Sequence, residues 1–528
     1  MPVVVVVKKS KSLGPLLYRF CYSSARVPAI SASKREREFL SLLQCYDTFI
    51  TCLTGPPFHF RRVETTSSDI VGHAAVNKTR VSEYLGIPYA SPPVGSLRFA
   101  TPEPFSSKQS FNASAYSPDC PANISPTYTF PNLTTLGQRI ASKFADQAGN
   151  HTQSEDCLTL NIWTKTQFRK SRKPVLLWVH GGRFTIPGSN NPIYNGQYLA
   201  DNEDVVVVTF NYRVGIFGFP GSPATTQNVG LLDQRLAVQW VHNNIAGFGG
   251  DPNRITSFGQ SAGGVSADYY SFAWTADPIV HGLISHSGTA LSMTPNSPEM
   301  SALYFHNVSV TLGCGGESDS QALECVRTKD FRAVLKAALL VSYAPSKALP
   351  RPVFHPTVDN KTVFADYASL GAAGKFAKLV NAPYIAGNLD YEAGYYKISA
   401  YAAKKNLTAS EWDLFNLAGF TCPTGTEAAN RAKYNVPVFR YRYFGTWPNL
   451  QLYPTSGAYH GSELEMVIGT AEDVSGLPNT ATENAVSRYM MKAWAMFAAA
   501  PAHRLSELGW PFYEPEGTHF SAGARMDG

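Results

Sequence analysis

The stretch Arg254-Ile255-Thr256-Ser257-Phe258-Gly259-Gln260-Ser261-Ala262-Gly263-Gly264-Val265 decides the fold. A strand-like run ending at Phe258 leads into the pattern Gly-X-Ser-X-Gly, and a helix-compatible segment begins at Val265. In this setting a sharp turn lifts the serine hydroxyl above the sheet, and small neighbours let the strand and helix approach. We therefore predict that Ser261 is a nucleophile. The alternative is a glycine-rich turn with an incidental serine.

Short apolar runs alternate with helical segments on both sides of this stretch. The predicted strands are Val175 to Val179, Val205 to Phe210, Ile255 to Phe258, Tyr384 to Ala386 and Val438 to Tyr443, and the helix candidates include Leu231 to Ile245 and Ala485 to Ala499. Near-continuous apolar strands are typical of a parallel sheet covered on both faces. The pattern predicts an α/β fold, and the absence of repeats or low-complexity linkers after residue 68 predicts one large domain over residues 69–528.

A nucleophilic serine needs a base that is itself oriented by an acid. In hydrolases built on a strand-to-helix elbow, these residues follow in the chain order serine, acid, histidine. Three histidines leave room for an acid in between: His460, His503 and His519. His460 is our candidate, because its small neighbours in the loop after the strand Val438 to Tyr443 would let it reach a serine. The alternative is an ordinary surface histidine.

The acid is not decided by chemistry alone. The strand around Ile385 is followed by Gly387-Asn388-Leu389-Asp390-Tyr391-Glu392. Either Asp390 or Glu392 could hold the imidazole in the required tautomer.

A separate segment of the chain is predicted to supply the hydrogen-bond donors that stabilise the oxyanion. The strand Val175 to Val179 ends in His180-Gly181-Gly182-Arg183-Phe184, and the backbone N–H groups of this turn can point at a developing oxyanion. The Ala262 N–H on the elbow would supply another donor. The alternative is a tight turn that only ends the strand.

Taken together, these and other motifs resemble the type-B carboxylesterases, most of all the fungal extracellular members. The resemblance covers roughly residues 69 to 520, and it rests on the following segments in order: Tyr84-Leu85-Gly86-Ile87-Pro88-Tyr89, Pro92-Pro93-Val94-Gly95 with Leu97-Arg98-Phe99, Ser154-Glu155-Asp156-Cys157-Leu158, His180-Gly181-Gly182, Asn211-Tyr212-Arg213-Val214-Gly215, Asp233-Gln234-Arg235, the serine elbow, and His460-Gly461-Ser462-Glu463-Leu464. The fold that this family implies is the α/β-hydrolase fold, with a mostly parallel central sheet and helices on both faces.

The resemblance also implies roles for single residues. It selects Glu392 as the acid, so that the catalytic residues are Ser261, Glu392 and His460, with Ser287 hydrogen-bonding near them. The implied oxyanion donors are the N–H groups of Gly182, Arg183 and Ala262. Two positions depart from the family pattern, since Ala393 and Arg183 stand where many relatives have glycine. The Arg183 position donates through its backbone N–H, which any side chain leaves in place.

Structural residues follow from the same comparison. The resemblance implies the disulfides Cys120–Cys157 and Cys314–Cys325, and it leaves Cys422 free. It also implies buried ion pairs of Arg98 with Glu155 and of Arg213 with Asp233. In lipases of this family the first disulfide loop forms a flap over the site.

The expected activity is hydrolysis of carboxylic esters, small-molecule or lipid, through an acyl-enzyme, with no cofactor and no metal. One alternative is an interfacial triacylglycerol lipase with the same three residues. The other is a non-catalytic cholinesterase-like binding or adhesion protein, although such relatives typically lose the serine or histidine that this chain keeps.

Charge is distributed unevenly along the chain. The 528 residues carry a net charge of +6, and the whole excess lies in residues 1–68, which hold ten basic and four acidic side chains. The neutral remainder predicts no nucleic-acid partner and no charge preference for the substrate.

The cysteine pairs and eight Asn-X-Ser/Thr sequons predict a secreted glycoprotein: Asn77, Asn112, Asn123, Asn132, Asn150, Asn307, Asn360 and Asn406. A secretory signal has charge first and an apolar run second, whereas Val3 to Val7 precedes the basic cluster. The stretch Phe39 to Leu53 follows the basic residues of Lys34 to Arg37 in the right order, but Gln44 and Asp47 interrupt it. A signal that we cannot delimit, a transit peptide and an uncharacterised extension stay open. No apolar run reaches the roughly 18 residues that span a bilayer, and the sequence does not indicate an oligomeric state.

Overall fold

The central sheet is assembled from the apolar runs that the sequence marks as strands. The computed structural model describes residues 62–123, 129–145, 152–165, 171–186, 188–316, 318–341, 352–377, 383–501 and 503–515, all within one unit of the chain, residues 60–528. In this part of the chain, nine strands form one sheet in the order β12-β11-β10-β9-β7-β8-β6-β4-β3, and three form a small sheet in the order β1-β2-β5. The strands are Arg62–Glu64 (β1), Asp69–Val71 (β2), His73–Ala74 (β3), Val81–Pro88 (β4), Phe111–Asn112 (β5), Thr159–Lys165 (β6), Lys173–Val179 (β7), Val206–Phe210 (β8), Gly250–Gln260 (β9), Gly282–His286 (β10), Tyr384–Leu389 (β11) and Val438–Tyr443 (β12).

The helices fill the connections between these strands. In the described residues they are Thr135–Phe144 (α1), Gln197–Asn202 (α2), Gly215–Gly218 (α3), Val229–Asn244 (α4), Ala262–Ala273 (α5), Pro298–Thr311 (α6), Asp319–Arg327 (α7), Phe331–Leu340 (α8), Tyr367–Ala372 (α9), Ala393–Ala402 (α10), Ala409–Asn416 (α11), Cys422–Lys433 (α12), Leu464–Ile468 (α13), Ala471–Ser475 (α14) and Ala481–Ala499 (α15). Both predicted helices are confirmed, as α4 and α15. None of the helices in the described ranges has the length and apolarity needed to cross a bilayer.

Strand β7 shows why the sheet is covered on both faces. Its residues are all buried, and successive side chains alternate between two hydrophobic cores. Val175, Leu177 and Val179 join the core that contains residues of α4 and α5, whereas Leu176 and Trp178 join the core that contains residues of α13 and α15. A strand buried on both faces is usually apolar at successive positions, as Val175 to Val179 are, and this is the pattern from which the sequence predicted the α/β fold. That prediction is confirmed.

The sheet is parallel across β12, β11, β10, β9, β7 and β8 and antiparallel at the other edge, where β6, β4 and β3 follow. Strands β4, β6 and β10 of this sheet are not among the strands predicted from the apolar runs of the sequence. Strand β4 includes the charged Glu83, and a register shift interrupts its pairing with β6 between Tyr84 and Ile87. Such a strand does not show a continuous apolar run, so only its pairing partners reveal it.

Strand β1 lies within residues 1–68, which the sequence set apart by their charge. It pairs antiparallel with β2, and the segment after it contacts α4. The Trp240 indole donates to the Ser67 hydroxyl at 2.9 Å, and the Thr66 N–H donates to Asn244 at 2.7 Å. Residues 62–68 thus pack against α4, whereas residues 1–61 lie outside the described part of the chain. The domain boundary stays a prediction.

Both implied disulfides and both implied ion pairs are present in the structure. Cys120 is bonded to Cys157 and Cys314 to Cys325, and Cys422 is free and exposed. The Arg98 guanidinium contacts Glu155 at 2.5 Å, and that of Arg213 contacts Asp233 at 2.7 Å. All four of these charged side chains are buried. Because removing one partner of a buried pair leaves an unpaired charge in the interior, these pairs act in the scaffold.

Candidate active site

The backbone at Ser261 is held in a strained conformation between β9 and α5. Its φ is 57° and its ψ is −121°, outside the regions that non-glycine residues ordinarily adopt. The Ser261 N–H donates to the His286 carbonyl at 2.8 Å, and its own carbonyl accepts from the Val265 N–H at 2.9 Å, which starts the helix. These bonds fix the turn, and they leave the serine side chain at the wall of a cavity.

Glycines around the serine allow this close approach of strand and helix. A Cβ at Gly263 would overlap the Val179 carbonyl oxygen, and one at Gly264 would lie 2.7 Å from the Gly288 carbonyl oxygen. A Cβ at Gly181 would lie 3.1 Å from that of Ser261, so the turn after β7 rests directly against the elbow. The Gly-X-Ser-X-Gly spacing is therefore a packing requirement here.

Parallel pairing gathers the candidate residues at one edge of the sheet. Gln260 at the end of β9 is opposite His286 at the end of β10, and His286 is opposite Gly387 in β11. Because the carboxyl ends of parallel strands meet at the same edge, the residues that follow each strand converge there. Ser261, Ser287 and Glu392 follow these strands within five residues.

His460 and Glu392 form a buried hydrogen-bonded pair. The His460 Nδ1 donates to Glu392 Oε2 at 2.6 Å, and both residues are almost fully excluded from solvent. The other carboxylate oxygen, Oε1, accepts from the Ser287 hydroxyl and from the Leu389 N–H, each at 2.7 Å. A carboxylate with three donors is fixed in orientation, and it assigns the proton of the imidazole to Nδ1. The Nε2 atom then carries no proton and accepts a hydrogen bond.

Asp390 lies elsewhere. Its carboxylate contacts the Arg442 guanidinium at 2.8 Å, and its side chain is 43% exposed. Its N–H pairs with the Tyr443 carbonyl at 2.8 Å, which continues the ladder between β11 and β12. Asp390 directly follows β11, whereas Glu392 has helical backbone angles, with a φ of −49° and a ψ of −37°, immediately before α10. The two candidate acids thus have different surroundings: Glu392 is buried against His460, and Asp390 is partly exposed and paired with Arg442.

The turn after β7 carries three consecutive residues at positive φ: Gly182 at 91°, Arg183 at 59° and Phe184 at 60°. The Gly182 carbonyl accepts from the N–H groups of Thr185 at 3.0 Å and Ile186 at 2.9 Å. Ala262 is the first residue of α5, so its N–H is one of those that a helix leaves without an intrahelical acceptor. Gly182, Arg183 and Ser261 line the same cavity.

This cavity has a volume of about 290 Å³, and its walls come from several segments. Besides the turn, the elbow and His460, it is lined by residues that include Asn123 and Phe144 from the chain between Cys120 and Cys157, and Tyr395 and Tyr396 from α10. The disulfide loop therefore contributes directly to the wall of the cavity.

Two residues at the cavity were not singled out by the sequence analysis. The Gln260 Nε2 donates to His460 Nε2 at 3.0 Å, and the Tyr396 hydroxyl shares a hydrogen bond with the Ser261 side chain. Burial raises the pKa of Tyr396 to about 12. A signal for both was present in the chain, since Gln260 directly precedes the serine and Tyr396 is one helical turn after Glu392.

A second buried cluster lies beneath the catalytic residues. The Trp494 indole donates to His286 Nε2 at 3.0 Å, which leaves the proton on Nδ1, facing Glu463 at 3.2 Å and the Tyr441 hydroxyl at 2.8 Å. Burial lowers the pKa of His286 to about 3, and burial together with the charge of Glu392 raises the pKa of Glu463 to about 8. Both groups are therefore uncharged near neutral pH.

A mostly parallel sheet with a strained serine between a strand and a helix defines an α/β-hydrolase. Comparison with known proteins agrees with this class. The model of the carboxylesterase family matches residues 60–418 and 395–525. The chain belongs to the carboxylesterase family, and it is a carboxylic ester hydrolase.

Several relatives are similar over most of their length. A chlorogenic acid esterase of Aspergillus niger is 36% identical over 446 residues, which cover 83% of this chain and 82% of the relative. Secreted lipase 5 of Gibberella zeae is 31% identical over 477 residues, covering 86% and 88%, respectively. An acetylcholinesterase of Bungarus fasciatus is 30% identical over 534 residues, covering 90% and 84%. The resemblance noted in the sequence is thereby confirmed.

Proposed function

We propose that Ser261, His460 and Glu392 hydrolyse the ester through a covalent acyl-enzyme. The observation that carries this proposal is the 2.6 Å bond from His460 Nδ1 to Glu392, with Ser261 and His460 lining one cavity. The Ser261 oxygen attacks the ester carbonyl while His460 Nε2 takes its proton. His460 then gives that proton to the alkoxide as the carbon–oxygen bond breaks, and the alcohol leaves.

The second half of the reaction repeats these steps with water. Water loses a proton to His460 Nε2 and attacks the acyl carbon, the bond to Ser261 breaks, and the serine recovers the proton. The carboxylate of Glu392 stabilises the imidazolium that forms in each half. Ester and water thus give acid and alcohol, and the enzyme returns to its starting state.

The N–H groups of Gly182, Arg183 and Ala262 are proposed to stabilise the oxyanion. Support comes from the turn after β7, which lies against the elbow, and from the position of Ala262 at the start of α5. Removing one donor of such a site typically costs about 3 to 4 kcal/mol of transition-state stabilisation.

Two experiments test the catalytic residues. An organophosphonate should label purified protein with one equivalent and abolish hydrolysis of 4-nitrophenyl acetate, and mass spectrometry of the digest should place the adduct on Ser261. Ser261→Ala should show neither the adduct nor the activity, although its circular dichroism spectrum should match the wild type. Labelling at a different residue, or undiminished activity in Ser261→Ala, would overturn the assignment.

The cavity favours a small-molecule ester over a triacylglycerol. Its volume of about 290 Å³ is at the lower end of the range of small-molecule sites. Activity on 4-nitrophenyl esters should therefore fall as the acyl chain grows from acetate to palmitate. A jump in activity when a long-chain substrate forms an emulsion would favour the interfacial lipase, whose flap would be the segment between Cys120 and Cys157.

Secretion is also proposed, because two disulfides require an oxidising compartment and one relative is a secreted lipase. Expression of the full chain in yeast should give active enzyme in the medium, with the disulfides formed. Mass spectrometry with and without a glycosidase would show which sequons carry glycans. Retention of all the activity inside the cells would contradict the proposal.

A further inference from the structure

We propose that a widened helical turn, Leu417–Thr421, positions the catalytic base by packing the Phe420 ring against the imidazole of His460. This inference rests on the proposed function and adds a positioning residue to it. Phe420 is not among the residues that line the catalytic cavity. It therefore acts on the reaction through His460 and not by contact with the substrate.

The widened turn joins α11 to α12 without interrupting the helical backbone. Leu417 and Cys422, on its two sides, both have α-helical backbone angles, but the Cys422 N–H donates to the Leu417 carbonyl, five residues earlier instead of four. Turns of this π type are rare and occur frequently at functional sites. The sequence contains a reason for it, because in a regular α-helix the ring of Pro423 would clash with the carbonyl of Gly419, four residues earlier.

The wider spacing brings two phenylalanines side by side. Phe415 and Phe420 are five residues apart, whereas on a regular α-helix the neighbours are three or four residues apart. Here their ring centroids are 5.6 Å apart. Tyr396 of α10 packs on both of them, with its ring centroid 4.9 Å from that of Phe415 and 5.9 Å from that of Phe420. The three rings form one aromatic cluster.

The catalytic imidazole packs against two rings of this cluster. The ring centroid of His460 is 5.0 Å from that of Tyr396 and 5.0 Å from that of Phe420. Phe420 is buried, with 7% of its surface exposed, and His460 is 2% exposed. The two aromatic side chains thus form an apolar wall on the imidazole ring, away from its nitrogen atoms.

This wall matters because one of the polar contacts of His460 has to change during the reaction. Glu392 holds Nδ1 at 2.6 Å, and Gln260 contacts Nε2 at 3.0 Å. When Nε2 takes the proton of Ser261, it has to leave the Gln260 amide. Glu392 and the aromatic wall then hold the imidazole. A displacement of about 1 Å in such a group can cost on the order of 100-fold in rate.

Polar contacts anchor both ends of the widened turn to the segment that carries the catalytic acid. Before the turn, Asn416 Oδ1 accepts from the Ala393 N–H at 2.8 Å, and Ala393 directly follows Glu392. At the other end, the Thr421 hydroxyl accepts from the Asn388 amide at 3.3 Å. Because Asn388 and Ala393 flank Glu392 in the chain, these bonds hold the widened turn in place relative to the acid.

The test compares substitutions at two equally buried phenylalanines. Phe420→Ala removes the ring, and Phe420→Leu keeps an apolar side chain against the imidazole. Phe354→Ala is the control, since Phe354 is 6% exposed, packs beside Tyr304 in a separate hydrophobic core and does not line the cavity. For each protein, kcat and kcat/KM on 4-nitrophenyl acetate are measured at a temperature where circular dichroism shows the native spectrum.

We expect Phe420→Ala to lower kcat and kcat/KM together, by about ten-fold or more, because His460 acts in both halves of the reaction. Phe420→Leu should recover most of this loss. Phe354→Ala also leaves a cavity and should be less stable, but its kcat should stay within about two-fold of the wild type.

A proton NMR spectrum provides a readout that does not depend on turnover. The proton that His460 Nδ1 donates to Glu392 should give a resonance far downfield of the amide protons. In Phe420→Ala this resonance should broaden or disappear, because the less tightly held imidazole lets the proton exchange with water. It should be unchanged in Phe354→Ala.

A wild-type kcat in Phe420→Ala would overturn the inference, as would an equal fall of kcat in Phe354→Ala or an unchanged downfield resonance in Phe420→Ala. If Phe420→Ala does not fold, Phe420→Val takes its place, and a wild-type kcat there counts equally against the inference. Failure of the proposed function is recognised separately, because the wild-type protein itself would then not cleave the ester and the phosphonate would not label Ser261.

Discussion

Glu392 and Asp390 are two residues apart in sequence, and their surroundings give them different roles. Glu392 is fully buried and bonded to His460, whereas Asp390 is exposed and paired with Arg442. Glu392→Gln should lower kcat by about 10³- to 10⁴-fold, because an amide can hold the wrong imidazole tautomer and stabilises no cation. Asp390→Asn should stay within a few-fold of wild type, since exposed ion pairs contribute little. Steady-state kinetics on 4-nitrophenyl acetate measures both, and a larger loss at Asp390 would reverse the assignment.

Gln260 gives a second prediction at the scale of a single residue. Its amide contacts the Nε2 of His460 at 3.0 Å and carries no charge. In Gln260→Glu, a carboxylate at this place would favour the imidazolium, which cannot accept the serine proton. The acid limb of the kcat/KM profile should therefore move to higher pH, by one unit or more.

The uncharged variant Gln260→Met separates charge from lost contact. It removes the hydrogen bond to His460 without adding an acid, so its activity falls but its acid limb should coincide with that of the wild type. If the acid limb moves equally in Gln260→Glu and Gln260→Met, then the loss of the amide contact, and not the added charge, determines the pH profile.

At the scale of the element, the elbow depends on glycines that let α5 approach β7. A Cβ at Gly263 would overlap the Val179 carbonyl oxygen, which belongs to the backbone of a central strand and cannot move aside easily. Gly263→Ala should destabilise the protein by about 1 to 3 kcal/mol, as overpacking does, and should also displace Ser261. Urea denaturation followed by tryptophan fluorescence measures the loss.

Gly419 offers a matched control for that substitution. A Cβ there would meet no heavy atom within 4 Å, and its φ is not in the left-handed region. Gly419→Ala should be neutral or stabilising by up to about 1 kcal/mol, because it reduces the freedom of the unfolded chain. If the two variants unfold at the same urea concentration, the close approach of strand and helix does not set the stability of the elbow.

At the scale of the whole molecule, buried acids link stability to pH. Burial raises the pKa of Glu465 from the usual 4.5 to about 8. Between these values the unfolded chain releases the proton that the folded protein keeps, so stability falls as pH rises. Below about 4.5 both states are protonated, and above about 8 the loss is complete. Glu463 follows the same course, with a pKa raised to about 8.

Glu465→Gln should reduce this slope, because an amide resembles the protonated acid and does not titrate. The free energy of unfolding, measured at several pH values from 5 to 8, should decline less steeply in the variant, by up to about 1.4 kcal/mol per pH unit. Glu507→Gln, at an exposed glutamate, should keep the wild-type slope. Parallel curves for wild type and Glu465→Gln would contradict the prediction.

Much of the architecture could be predicted from local sequence, since most of the parallel strands buried on both faces contain a near-continuous apolar run. That rule found β7, β8, β9, β11 and β12, and the Gly-X-Ser-X-Gly spacing found the elbow. It missed β4, because the buried Glu83 interrupts the apolar run of that strand. The structure accommodates this acid through a hydrogen bond from the Trp163 indole at 2.5 Å. The partner is 80 residues away in the chain, beyond the reach of any local pattern.

The sequence by itself determined the class of fold and the short set of candidate residues, because each depends on residue type and spacing, whereas the cysteine pairing was implied by the family resemblance. Only the tertiary structure decided that Glu392 faces His460 while Asp390 faces solvent, and that Gln260 and Tyr396 contact the catalytic residues. The physical reason is that parallel strands bring together residues that are 200 positions apart in the chain, such as Gln260 and His460, and no local pattern records such a contact.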